Sequence, residues 1–220
     1  MRSALHAEWT KLRTVASPLW LLLGMIAATV ALSAGATSVV PCDAAGCGKL
    51  SLIGVELGQA LVAILAVLVI SGEYSSGMIR TTLTAVPRRA IAFAAKAVIL
   101  TGVVAAAGTV AVLGSLLVGH LRQGFRPLSL EAAAGSVLYL ILIALLSLGI
   151  AVIIRDSATS IGVILALLYL PPILAQVIAN PHWQDLLRQF APTSADLGVT
   201  TVWSVVALAS GVLVLRARDA

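Results

Sequence analysis

The stretch AAAGSVLYLILIALLSLGIAVII, residues 132–154, decides the fold of this chain. It carries no charged side chain over the length that an α-helix, rising about 1.5 Å per residue, needs to cross a hydrocarbon layer about 30 Å thick. In the whole chain of 220 residues, 60% are hydrophobic, 10% are charged, and the mean hydropathy is +1.07. Such values lie far outside the range of soluble domains, so the sequence predicts an integral membrane protein.

Five further apolar blocks, each bounded by charged residues, Pro or Gly, have the same character. Period-two alternation is absent, which argues against a β-barrel. Only Arg155, Asp156 and Ser157 separate the fourth block from the fifth, so those two helices are expected to be antiparallel neighbours. The sequence predicts one all-α domain over residues 1–220 with six transmembrane helices, near 19–40, 52–71, 97–118, 132–154, 158–178 and 198–215.

The distribution of Lys and Arg predicts the orientation, because cationic loops are retained on the cytoplasmic side. With six spans, ten of the fourteen cationic residues fall on one side of the membrane. The other side holds the remaining four, Lys49, Arg122, Arg126 and Arg188. We therefore expect a multi-pass protein of the cell membrane with both termini in the cytoplasm.

The chain has two cysteines, Cys42 and Cys47, and both lie in a short loop that this topology places outside the cell. The oxidising environment there permits a disulfide. Such a bridge would close a very small loop and act as a local clamp. The alternative is a pair of free thiols.

Residues that would support catalysis or cofactor binding are missing. The three histidines, His6, His120 and His182, fall outside the predicted spans, and the two cysteines lack the further ligands of a metal site. The segment AAGCGKL, residues 44–50, resembles a phosphate-binding loop, but Asp43 and Leu50 stand where that signature needs Gly and Ser or Thr. The sequence predicts no enzyme, no bound cofactor or metal and no nucleic-acid partner, so any ATP-driven step belongs to another polypeptide.

Glu56 and Gln59 are the polar exception within the spans, and their spacing can place both on one face of the second helix. They are candidates for the polar lining of a substrate pathway. The alternative is that Glu56 lies near the outer surface and reaches water or pairs with Lys49.

Two glycines frame Glu56 in the segment GVELG. Gly54 and Gly58 form a small-x-x-x-small pair, which lets two helices approach closely. The sequence leaves open whether that interface lies within the chain, between two subunits, or nowhere, since small residues are common here.

Pro171 and Pro172 are expected to interrupt the fifth span, because proline removes backbone donors and bends a helix. A bend beside a pathway is the interpretation we favour, with neighbouring helices or water satisfying the released carbonyls. The following segment, PHWQDLLRQFAP, has Trp183, Leu186 and Phe190 at helical spacing. It predicts an outer interfacial helix over residues 181–195.

The longest polar interruption is GEYSSGMIRTTLTAVPRRA, residues 72–90, in a predicted cytoplasmic loop over residues 72–96. Ile79, Leu83 and Val86 recur at helical spacing, and Pro87 ends the pattern, so a short amphipathic helix is expected. Arg88, Arg89 and Lys96 are then expected to meet lipid phosphates. Either these cations only fix the topology, or the apolar ridge docks into a groove of a cytoplasmic partner.

This stretch resembles the coupling region of the membrane subunits of bacterial type-2 ABC exporters. The resemblance is carried by residues in the family's order: Glu73, Gly77, Arg80, Leu83, Pro87, Arg89 and Lys96. The N-terminal AEWTKLRTVASPLW, residues 7–20, resembles the interfacial connecting helix of these permeases, which is expected over residues 1–18. RQFAPTSA, residues 188–195, resembles their outer segment.

The resemblance implies a permease subunit that forms half of an export pathway. It further implies that the region from Glu73 to Arg89 docks onto a separate ATPase subunit, which would bind ATP and Mg²⁺. A second permease copy or homologue and membrane lipid complete the expected partners. The apolar composition favours an amphiphilic drug, peptide or lipid as substrate. The alternatives are a structural or sensory subunit that recruits a partner without transport and, less favoured because the spans carry few acidic groups, an ion-coupled carrier.

Overall fold

The computed structural model describes His6, Trp9, Thr10, Thr14 and residues 16–39, 53–75, 89–123, 130–178, 180–193 and 196–217. These residues hold no strand and contain seven helices of ten residues or more. They are α1 (Ala16–Val39), α2 (Gly54–Ser75), α3 (Arg89–Gln123), α4 (Leu130–Ile154), α5 (Ser157–Val177), α6 (Pro181–Phe190) and α7 (Leu197–Ala217). All except α6 are long and apolar enough to cross a membrane. The predicted all-α multi-pass membrane protein with six spans is therefore confirmed.

Helix α4, the most apolar block in the sequence, lies at the centre of the bundle. It packs against α2, α3, α5 and α7, and its side chains Tyr139, Leu140, Ile143 and Leu146 are almost completely buried. On the other side, α1 packs against both α2 and α3. As a result, α2 and α3 lie diagonally opposite each other and make few direct contacts.

Two residues, Arg155 and Asp156, form the turn between α4 and α5. Arg155 adopts the left-handed conformation, with φ of 64°, and its backbone N–H donates to the carbonyl of Ala151 at 2.9 Å. Asp156 is the N-cap of α5, and its carboxylate accepts a 2.7 Å hydrogen bond from the backbone N–H of Thr159. The side chain and the backbone N–H of Thr159 hold the pKa of Asp156 below its ordinary value.

Helical structure extends into both ends of the loop predicted over residues 72–96. Helix α2 continues to Ser75, and α3 already begins at Arg89. The part of the predicted loop between these helices, residues 76–88, lies outside the described residues. Residues of good helix propensity, such as those in AIAFAAKA, continue α3 in front of the apolar block predicted from the sequence. For the same reason, α3 extends past residue 118 and includes His120.

Pro171 and Pro172 do not break the helix of the fifth span, and the bend expected at them stays a prediction. The helix runs from Ser157 to Val177 with both prolines inside it. Each proline lacks the N–H that would bond to the carbonyl four residues earlier, so the carbonyls of Leu167 and Leu168 lose their usual helical partners.

The predicted outer helix over residues 181–195 is shorter than expected, because α6 ends at Phe190. Pro192 disfavours helical conformation at Ala191 and so ends the helix. At its start, Asn180 caps the helix by accepting from the N–H of His182 at 3.0 Å. Trp183 and Phe190 are exposed, as expected for an interfacial helix.

The N-terminal residues are described at four positions, and all four are helical. The hydroxyl of Thr10 donates to the carbonyl of His6 at 2.8 Å, and that of Thr14 donates to the carbonyl of Thr10 at 2.9 Å. The remainder of residues 1–15 lies outside the described residues. The first transmembrane helix begins at Ala16, three residues before the predicted start of the first span.

Candidate functional site

A cluster of polar side chains lies inside the bundle, on the first turns of α2. Gln59 is 5% exposed, whereas Glu56, three residues earlier, is exposed. On the helix face that the two residues were expected to share, Gln59 therefore lies in the interior of the bundle and Glu56 lies at its surface. Because a buried amide in a membrane protein needs hydrogen-bond partners, residues packed around Gln59 must supply them.

Tyr139 of α4 provides the partner of Gln59. Its phenolic hydroxyl donates a hydrogen bond to Oε1 of Gln59, and both side chains are buried. The same hydroxyl lies 3.3 Å from the carbonyl oxygen of Pro192, just after α6. One tyrosine thus connects the central helix α4 to α2 and to the segment that leads into α7.

Tyr169 of α5 supplies a second link to the same turn of α2. Its hydroxyl donates a 2.6 Å hydrogen bond to the backbone carbonyl of Glu56. This bond uses the backbone carbonyl of Glu56, so the hydroxyl of Tyr169 does not occupy the Glu56 carboxylate. Glu56, Gln59, Tyr139 and Tyr169, contributed by α2, α4 and α5, form what we call the tyrosine–glutamate cluster.

The outer part of this cluster borders a groove of about 450 Å³ between α1, α2 and α5. The volume falls within the range of about 300–1,000 Å³ that is usual for small-molecule sites. Among the described lining residues, Glu56 contributes the acidic side chain and Tyr169 contributes the aromatic ring. The other lining residues are Ala31, Leu32, Gly35, Ala36, Ile53 and Leu57.

Gly54 and Gly58 lie on the opposite side of the same turns, where α2 meets α1. A Cβ atom at Gly54 would lie 2.1 Å from the carbonyl oxygen of Thr29, and one at Gly58 would lie 2.4 Å from Oγ1 of Thr29. The glycine pair therefore lies at a close helix crossing within this chain, one of the alternatives that the sequence left open. The Thr29 hydroxyl at this crossing is buried without a hydrogen-bond partner among the described residues.

A second close crossing, between α4 and α7, was not foreseen from the sequence. A Cβ atom at Gly149 would lie 2.5 Å from the backbone carbon of Ala207. The spacing of Ala207 and Gly211, which also approaches Gly149, is the sequence signal that would have indicated it.

The residues expected to couple to an ATPase are described only in part. Glu73 lies in the last turn of α2 and Arg89 is the first residue of α3, and the positions of their side chains are not described. Gly77, Arg80, Leu83 and Pro87 lie outside the described residues, as do Cys42, Cys47 and Lys49. The coupling assignment and the disulfide therefore stay predictions.

Lys96 was expected to meet lipid phosphates, and this expectation was wrong. The side chain is 6% exposed, and its Nζ atom donates to the carbonyl oxygen of Val69 in α2 at 3.4 Å. Because α3 begins at Arg89 rather than near residue 97, Lys96 lies two turns inside the helix and faces the bundle.

The sequence identified Glu56 and Gln59 but missed Tyr139 and Tyr169. The signal was present, since a tyrosine within an otherwise aliphatic span has a hydroxyl that must find a partner. Within the described ranges, no group of His, Cys, Asp and Glu side chains is arranged to hold a metal ion. What the cluster offers instead is a carboxylate and an aromatic ring beside an apolar groove.

Comparisons with known proteins do not extend this picture. No protein-family model, no curated protein and no solved structure matches the chain. The resemblance to type-2 ABC permeases therefore stays a prediction based on the motifs in the sequence.

Proposed function

We propose that the chain is the transmembrane permease subunit of an ATP-driven exporter, forming half of the translocation pathway. The observation that supports this best is the layout of α2. This single helix, Gly54–Ser75, carries Glu73 of the coupling motif at one end and Glu56 and Gln59 of the tyrosine–glutamate cluster at the other. A displacement applied at the motif would therefore be transmitted along a continuous helix to the groove.

In the proposed mechanism, ATP-driven closure of a separate ATPase subunit pushes on residues 79–86. Helices α2 and α3, which flank this segment, shift within the bundle and change the opening of the pathway from the inner to the outer face. The ATPase subunit binds ATP and Mg²⁺, and the permease hydrolyses nothing. Both termini lie in the cytoplasm, and the protein resides in the cell membrane.

The groove supports an amphiphilic substrate such as a drug, peptide or lipid. Its apolar lining would accept a hydrocarbon portion, while Glu56 and Tyr169 offer a charge and an aromatic ring to a polar head. A second copy of the chain, or a homologue, would supply the other half of the pathway.

The proposal is tested with the permease co-expressed with the ATPase that copurifies from its native membranes. Glu73→Ala and Arg80→Ala are expected to insert normally while losing most of the stimulated ATPase activity or the copurified ATPase. Glu131→Ala, at the exposed start of α4 and near the opposite ends of the helices, is the matched control and should retain both.

Two results would contradict the exporter assignment. Normal stimulation and copurification in both variants would remove the coupling role of Glu73 and Arg80. An ATPase or other partner that binds through this region while vesicles show no substrate flux would instead favour the structural or sensory alternative.

A further inference from the structure

Lys96 is the one charged side chain among the buried described residues. Its ammonium group donates to the carbonyl of Val69, in the last two turns of α2. Burying an ammonium group is costly unless it is paired. The hydrogen bond to the Val69 carbonyl supplies part of the compensation from α2.

This contact connects two helices that hardly touch otherwise. Helices α2 and α3 occupy diagonal positions, and each packs mainly against α1 and α4. A lysine side chain is long enough to reach across such a gap, and Lys96 and Val69 are 27 residues apart in the chain. The residues between them include the whole segment 76–88.

We infer that Lys96 is a positioning residue that acts as a strut between the ends of α2 and α3. The strut fixes the separation of Ser75 and Arg89, the two points at which residues 76–88 are attached. A push on that segment would then move both helices as a pair, rather than each with its own neighbours. The strut rests on the geometry alone, and only its consequence for transport rests on the proposed function.

The experiment measures the distance between spin labels at Gly72→Cys and Ala94→Cys by electron paramagnetic resonance in lipid nanodiscs. Both positions are exposed, and a Cβ atom at Gly72 meets nothing within 4 Å. Cys42→Ser and Cys47→Ser remove the native thiols. With Lys96 present, a single narrow distance peak is expected, and Lys96→Met should lose it. Methionine fills a similar volume without a charge, and such apolar replacements of buried ions usually fold.

Two further variants separate the strut from a general packing effect. Lys96→Arg keeps a long cationic donor and should restore the narrow peak. Ser115→Ala removes a buried hydroxyl of the same helix and should leave the peak unchanged. That hydroxyl has no hydrogen-bond partner among the described residues.

An unchanged narrow peak in Lys96→Met overturns the strut, whether or not an ATPase partner is found. If the methionine variant fails to fold, Lys96→Gln decides, because its shorter side chain cannot reach Val69. The glutamine variant should lose the narrow peak, and a retained peak overturns the strut. Loss of the peak together with the absence of any ATPase partner would leave the strut standing and contradict only the proposed function.

Discussion

The hydroxyl of Tyr139 donates its hydrogen bond to the side-chain oxygen of Gln59, across 80 residues of sequence. The bond joins the central helix α4 to α2, the helix that carries Glu73 at its other end. Because both side chains are buried, neither can replace the other with water. Tyr139 therefore fixes where the polar turn of α2 sits relative to the centre of the bundle.

Removing this hydroxyl should destabilise the protein. Tyr139→Phe leaves the amide oxygen of Gln59 buried without its donor, and the free energy of unfolding is expected to fall by about 1–2 kcal/mol. Thermal or denaturant unfolding in detergent micelles measures the change. The double variant Tyr139→Phe with Gln59→Leu should recover part of the loss, because both polar partners are then gone. This account would be contradicted if the double variant lost more free energy of unfolding than the two single variants lose together.

The crossing of α1 and α2 predicts that a side chain at Gly58 destabilises the protein. In Gly58→Ala the added methyl group would meet Oγ1 of Thr29 and force the helices apart, which should reduce the free energy of unfolding by about 1–3 kcal/mol. Gly102→Ala is the matched control, because nothing lies within 4 Å of the added atom. The control should be neutral or more stable by about 0.5–1 kcal/mol, since alanine favours a helix. Equal unfolding midpoints in the two variants would argue against the close crossing.

The N-cap of α5 predicts a pH-dependent contribution to stability. Hydrogen bonds from Thr159 lower the pKa of Asp156 in the folded protein below its ordinary value of 3.8. The stabilisation is therefore fully present above pH 3.8 and is lost as the pH falls through the folded-state pKa. Asp156→Ala should lower the unfolding temperature at neutral pH, and its difference from the wild type should shrink in that acidic range.

Asp156→Asn serves as the control for this titration. Asparagine is also a good N-cap but does not titrate, so it should retain most of the stability at neutral pH. Unfolding temperatures measured at a series of pH values distinguish the variants. A difference between wild type and Asp156→Ala that stays constant down to the lowest pH would show that the carboxylate charge does not stabilise the turn.

Glu56 is predicted to influence transport rather than folding, if the protein is the proposed exporter. Glu56→Gln keeps the backbone carbonyl that accepts from Tyr169, so the unfolding temperature should change little. Efflux of a lipophilic phosphonium cation from vesicles should decrease, whereas efflux of a neutral amphiphile should decrease less. Glu131→Gln, outside the groove lining, should affect neither. Equal losses for the cationic and neutral compounds would contradict a role for the charge.

The sequence alone determined that this is an all-α protein with six membrane-spanning helices. The reason is local, because a span of apolar residues long enough to cross the bilayer must satisfy its own backbone hydrogen bonds within a helix. The turn at Arg155 and Asp156 was foreseeable in the same way, from a short polar break between two such spans. The family resemblance is also a statement about the sequence, and it stays a prediction.

Only the tertiary structure decided which residues meet. The local sequence does not indicate that Tyr139 bonds to Gln59, that Gly58 contacts Thr29, or that Lys96 is buried in the bundle. These contacts depend on how the helices pack and on where each helix begins, and α3 begins a full two turns earlier than its apolar block suggests. A hydropathy pattern reports whether a helix is in the membrane, whereas the direction in which each side chain points is set by its neighbouring helices.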